Sequence, residues 1–157
     1  MDDALTLIAT LQSAPRIIIG LVREMPPQNL KRRPSPTKWS AHEHACHIST
    51  ADTAYLSRLE LMLSDLEPYI KSMLPSAEEE AGSLLNADLD EALDLYTRER
   101  ARLVDRLRDL SEADWQRAAK HEEYTHYSVF IMFRDLLLHE MLHAYRIEEL
   151  MLKKGWE

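Results

Sequence analysis

Apolar side chains recur every three or four residues along four long stretches of the chain, the period of an α-helix that buries one face. The first stretch, Asp3 to Met25, aligns Leu5, Ile8, Leu11, Ile18, Leu21 and Val22 and stops at Met25-Pro26-Pro27. Pro15 falls inside it and predicts a kink, because proline cannot donate to the carbonyl four residues back. The second starts at Ser40, with Glu43 three residues on as in a capping box, and runs to about Leu66. In the third, Asp88 and Glu91 repeat that spacing, and Leu89, Leu93, Tyr96, Leu103, Leu107 and Leu110 form the stripe. Its many Arg, Asp and Glu residues read as a solvated face. The fourth runs from about Ser128 to Lys154 and closes on Lys153, Lys154 and Gly155, residues suited to a helix C-terminus.

Helices of about 20 to 27 residues span about 30 to 40 Å at 1.5 Å per residue, the dimensions of a four-helix bundle. The expected fold is all-α, a single domain over residues 1–157. About 20 residues separate segments two and three, more than an antiparallel hairpin of helices uses, so a crossover is expected there.

Composition narrows the function. A net charge of −8 argues against a nucleic-acid surface, which needs clustered Lys and Arg. The cluster Lys31-Arg32-Arg33 sits in a proline-rich loop and reads as solvated surface. Cys46 is the single cysteine and forms no internal disulfide, which favours a reducing, cytoplasmic setting, and a buried inert thiol is its expected state. The N-terminal stretch starts with two acids and carries Arg16 among its apolar residues, unlike a signal peptide. No apolar run reaches the roughly 18 uninterrupted residues of a membrane span, so no membrane partner is expected.

The chemistry lies in the histidines. Residues 139 to 143, His-Glu-Met-Leu-His, match the H-E-x-x-H pattern of zinc proteases. Two histidines four apart on a helix lie within about 40° of one face and reach one ion. A protease needs a third ligand downstream, however, and the positions of the extended consensus hold Arg146 and Glu149 instead of Gly and His. The partners lie upstream, where Lys-Trp-Ser-Ala-His-Glu-His-Ala-Cys-His opens segment two and sets Glu43 and His47 on one side of the helix, with His44 about 60° round from His47. Ala51 and Ala54 continue the His47 stripe and leave room beside it for an ion and a small-molecule substrate.

The pattern Trp39-Ser40-x-x-Glu43-x-x-x-His47-Ile48, with His139-x-x-x-His143-x-x-Arg146-Ile147 in the last helix, resembles the DinB-like superfamily of four-helix-bundle metal proteins. The resemblance covers nearly the whole chain in element order and length. It implies that His47, His139 and His143 bind a divalent metal, zinc or nickel, that a low-molecular-weight thiol serves as co-substrate in some branches, and that the protein pairs as a homodimer. The implied activity is a metal-dependent transferase or hydrolase, and thiol use is one branch of it. Arg146 stands where Gln is frequent and Ile48 where Leu is frequent, which leaves the ligands intact and alters the pocket.

Three histidines on zinc leave the fourth position open, the arrangement of a reactive site. No catalytic group is named by the sequence. Glu43, Glu140, His44, Arg58 and Arg146 are candidates to line the pocket or support the ligands. Glu43 has a competing role as the cap partner of Ser40. Glu140, about 100° from His139, is expected to point away from the ion in a supporting or surface role. Arg58 can meet an anionic group of the substrate or form a surface ion pair. Trp39 is expected to plug the end of the core, and His42, His121 and His126 to lie at the surface. A non-catalytic helical interaction or stress-response module is the alternative.

Overall fold

The structure is a computed structural model that describes residues 2–156. The first segment forms α1, Asp2–Glu24, and a short α2, Pro27–Leu30, follows the proline stop. The second is divided into α3, Ala41–Ile48, and α4, Ala51–Ser64. The third is α6, Leu89–Arg108, reached through β1, Tyr69–Ile70, α5, Ala77–Ala81, and a 3-10 turn, Ser83–Asn86. After α7, Glu112–Gln116, and β2, Lys120–His121, the fourth forms α8, Val129–Met151. Ser40, Asp88 and Ser128 all cap as their side-chain chemistry predicts. Of these three, Ser40 closes the reciprocal box, as Ser76 and Ser111 also do at α5 and α7, whereas Asp88 accepts from the Glu91 amide without the return bond.

The division of segment two departs from the expected continuous helix. Ser49 Oγ donates to the Cys46 carbonyl at 2.7 Å and Thr50 Oγ1 to the His47 carbonyl at 3.1 Å, so side-chain hydroxyls take acceptors that the helix would use. The helix is interrupted at Ser49 and Thr50, just after His47.

Helix α1 and the α3/α4 pair each pack on both α6 and α8, which puts α6 and α8 at opposite corners of the bundle. The connections from α2 to α3 and from α6 to α8 therefore cross the bundle, whereas the long one between α4 and α6, where the crossover was expected, joins neighbours. Its length serves another end: β1 pairs in parallel with β2, Tyr69 with Lys120 and Ile70 with His121, and ties two connections together over one side of the helices.

The core has two halves. One gathers Leu11, Leu59, Leu103, Phe133 and Leu136, the other Ile18, Ile48, Tyr96 and Ile147. Between them lies a buried ionic layer. Arg100 donates from Nε and Nη2 to Asp52 at 2.9 and 2.8 Å, from Nη1 to Glu140 Oε2 at 3.2 Å, and also from Nη2 to Glu140 Oε1. All three are at most 2% exposed, so segment three is not solvated on every charged position. Leu5, assigned to the α1 stripe, is exposed; Ala4 and Leu7 take that place. By length and apolar composition α1 also meets the criterion for a membrane span, contrary to the expectation from the sequence, yet here its apolar face covers α6 and α8.

Candidate metal centre

The capping box of Ser40 and Glu43 starts α3 at a fixed rotation and thereby aims its histidines. Ser40 Oγ accepts from the Glu43 amide, while Glu43 Oε2 accepts from the Ser40 amide and hydroxyl, each at 2.9 Å. Arg33 completes the lock, its Nε reaching Glu43 Oε2 at 2.9 Å and Oε1 at 3.1 Å. Burial raises the Glu43 carboxyl, but the bonds from Arg33 and Ser40 outweigh it and hold the group below the usual carboxylate range. Glu43 thus positions α3 and does not reach the histidines, and Arg33 is a half-buried cap partner rather than solvated surface.

His47 from α3 meets His139 and His143 from α8 where the two helices pack. One ligand-capable atom from each lies within 4.8 Å of the other two. The imidazole centroids are 4.4 Å apart for His139 and His143, 5.0 Å for His47 and His143, and 5.3 Å for His47 and His139. His139 and His143 also approach through their Nε2 atoms at 3.0 Å. Burial depresses the pKa of both, that of His143 to about 2, and keeps them in the neutral form that donates a lone pair.

The surrounding groups orient these rings. His143 Nδ1 and His44 Nδ1 are 2.7 Å apart, so one proton is shared between them, and burial holds His44 neutral with a pKa of about 4. Placing that proton on His143 Nδ1 leaves His143 Nε2 as a lone pair facing His139. His47 Nδ1 makes a long 3.4 Å contact with Glu79 Oε1, whose other oxygen accepts from the Ser76 amide at the start of α5. A carboxylate behind a histidine fixes its tautomer and strengthens it as a donor, as in known carboxylate–histidine–metal arrangements. His139 Nδ1 is buried with no hydrogen-bond partner. Three imidazoles with converging ring nitrogens, two of them supported from behind, fit a divalent metal in donor chemistry.

Beside this cluster is a cavity of about 610 Å³. Ala51 and Ala54 lie along it as their small side chains suggested, with Tyr55 and Arg58 further along α4. Asp135, one turn before His139 on α8, also lines it and accepts from the Tyr55 hydroxyl at 3.1 Å. The two tied connections close the far side with Ser72, Met73 and Leu74 from one and His121, Tyr124 and Tyr127 from the other.

The remaining sequence candidates separate from this site. Glu140 is fully buried in the Arg100 layer, pointing away from the histidines as its rotation predicts but not to the surface. Arg146 is exposed, pairs with Glu149 at 2.5 Å, and lines a different groove with Trp39 and His44. Trp39 does not plug the core: its ring lies 4.8 Å from His47 and 6.0 Å from His143, walling the cluster. His42 is buried, with Nε2 on the Leu84 carbonyl at 3.0 Å, where it anchors the 3-10 turn. His121 stacks on Tyr124 and Tyr127 at the cavity, while His126 is exposed as expected. Cys46 is buried beside His47, and burial pushes its thiol up to about 11. Sequence reasoning missed Glu79, Tyr55 and Asp135. The spacing Asp135-x-x-x-His139-x-x-x-His143 was one available signal; the capping-box spacing of Ser76 and Glu79 marks the start of α5 but carries nothing that points Glu79 at His47.

Comparison with known proteins agrees with this architecture. The chain superposes on the structure of YfiT from Bacillus subtilis, described as "a probable metal-dependent hydrolase with an unusual four-helix bundle topology". The TM-score is 0.82 at 20% identity, over 98% of this chain and 89% of YfiT. No curated protein matches the chain in sequence. The family model of the DinB superfamily matches residues 10–147. The chain belongs to the DinB superfamily.

Proposed function

We propose that the protein is a metal-dependent hydrolase of small molecules, with His47, His139 and His143 as the metal ligands. The observation that carries this reading is the convergence of three imidazoles from α3 and α8 at the edge of a cavity of about 610 Å³. A site of that kind holds a small substrate, whereas a structural metal is sealed on all sides by protein ligands. The printed description of YfiT supports the same reaction class.

When bound, a zinc or nickel ion there supplies a Lewis acid that yields a nucleophile at neutral pH. The protein's own groups do the rest. Glu79 and His44 hold the rings of His47 and His143 in register through their Nδ1 atoms. Asp135 presents its carboxylate to the cavity, and because Tyr55 occupies Oδ2, Oδ1 is the atom placed to take a proton from the attacking group. Trp39 packs against the rings of His47 and His143 and limits the access of water on that side. A thiol co-substrate, as the family resemblance implies for some branches, would use the same three histidines.

Elemental analysis of untagged protein tests the reading, wild type beside His47→Ala and His139→Ala. About one equivalent of zinc or nickel in the wild type, absent from both variants, is the expected result, followed by hydrolysis in an ester and amide panel that the variants fail to catalyse. A wild type that takes up no divalent metal when supplied with it overturns the reading and leaves a helical interaction module. Sedimentation of the same sample tests the expected homodimer.

A further inference from the structure

We infer that the Arg58 end of the cavity is a carboxylate subsite, so that the substrate is a monoanionic molecule with an apolar or aromatic body. This rests on the hydrolase reading for the reacting end and on independent observations for the anionic end. Arg58 is half-buried in the cavity lining, two turns beyond Ala51 along α4 or about 10 Å by helical rise. Its Nη2 donates to the Lys71 carbonyl at 2.5 Å and its guanidinium lies over the Tyr55 ring, 5.6 Å from the centroid. Both contacts fix the fork in place, and neither neutralises its charge. Among the described residues no carboxylate lies within ion-pair distance of it; the nearby Asp135 accepts from Tyr55 instead.

Next to Lys71 in the chain, Ser72 lines the same cavity, and its hydroxyl is buried without a hydrogen-bond partner. A buried donor left unused costs free energy, which a ligand oxygen at this place would recover. An orientated guanidinium with a spare hydroxyl beside it recognises a carboxylate by charge-assisted bonds. Asp135 and Glu123 in the same lining disfavour a dianion, which restricts the ligand to a single negative charge. Ala51 and Ala54 lie between this end and the histidines along α4, and Leu138 with the mutually stacked rings of Tyr124 and Tyr127 adds apolar lining. They call for an apolar or planar body.

The test is equilibrium binding of phenylacetate and of phenylacetamide to metal-free and zinc-loaded full-length protein, by calorimetry. Phenylacetate is expected to bind the metal-free protein at least about tenfold more tightly than the amide, a difference of about 1.4 kcal/mol. Arg58→Gln should remove that preference and Ser72→Ala should reduce it, while Arg58→Lys retains most of it and shows that charge rather than folding is read. Equal affinity for acid and amide, or phenylacetate binding that is unchanged in Arg58→Gln, overturns the subsite. Acid preference through Arg58 in a protein that takes up no metal would overturn the hydrolase reading alone; full metal loading without acid preference would overturn the subsite alone.

Discussion

Arg100 donates through Nη1 to the carbonyl oxygen of Leu11 at 2.7 Å, the oxygen that Pro15 leaves without its helical N–H donor. One side chain on α6 thereby engages α1, α4 through Asp52, and α8 through Glu140. The layer sets the helices in register immediately beside the histidines, since Glu140 follows His139 in sequence. Arg100→Met strands two buried carboxylates and an unpaired carbonyl, so a loss of about 3–5 kcal/mol is expected in urea unfolding. Adding Asp52→Asn and Glu140→Gln to that variant should restore part of the loss. A single variant as stable as the wild type would deny the layer its structural role.

Glu140 distinguishes this bundle from a zinc protease with the same five-residue motif. In the protease the glutamate is the general base, and its amide loses activity. Here burial pushes the Glu140 carboxyl up to about 7, although the neighbouring Arg100 opposes the shift. One guanidinium faces both Asp52 and Glu140, so a neutral amide at position 140 still leaves one matched ion pair in the layer. Glu140→Gln should therefore change stability by less than about 1 kcal/mol at pH 7, compared with about 1–3 kcal/mol for Glu140→Ala, which leaves Arg100 donors unmet. Metal content and any hydrolysis should survive in the Gln variant.

How much of this was legible in the sequence follows from the range of the interactions. Helix caps are local, and Ser40 and Asp88 were readable because each carries an acid three residues on and bonds that residue's amide. The pair His139 and His143 was readable from helical rotation, and His47 required the family resemblance to single it out from its neighbours. Arg100 was read as surface because periodicity cannot tell a charge facing water from one facing two carboxylates on other helices. The break after Ile48 depends on two hydroxyls bonding back to the carbonyls three residues earlier, a choice of rotamer that periodicity does not show. Glu79 reaches His47 from a connection whose course is set by a two-residue strand pairing.

Glu79 and His44 are expected to tune the site without belonging to the ligand set. Glu79→Gln weakens the acceptor behind His47, and His44→Ala removes the one behind His143. Each should lower metal affinity by about 10–100-fold, measured in competition with a chromophoric chelator, while stoichiometry at saturation stays that of the wild type. Loss of the metal altogether in His44→Ala would make His44 a ligand in its own right.

The Arg33–Glu43 contact gives a prediction with a defined sign in pH. The folded state holds the Glu43 carboxyl below its ordinary value of 4.5, so the folded chain binds this proton less readily than the unfolded chain. The pair therefore contributes its full stability above the unfolded value and loses it as pH falls through the folded one. Arg33→Met removes the bonds that depress the group, and at pH 7 it should cost about 2 kcal/mol, as for a hydrogen bond to a charged group. That difference from the wild type should shrink as the pH is lowered from 4.5 through the depressed folded value, because protonated Glu43 no longer attracts Arg33. Urea midpoints of both proteins at pH 7 and at low pH measure the difference directly. A gap that is constant with pH would mean that Arg33 stabilises the α3 entry by packing alone, through its bonds to the Pro36 and Glu80 carbonyls.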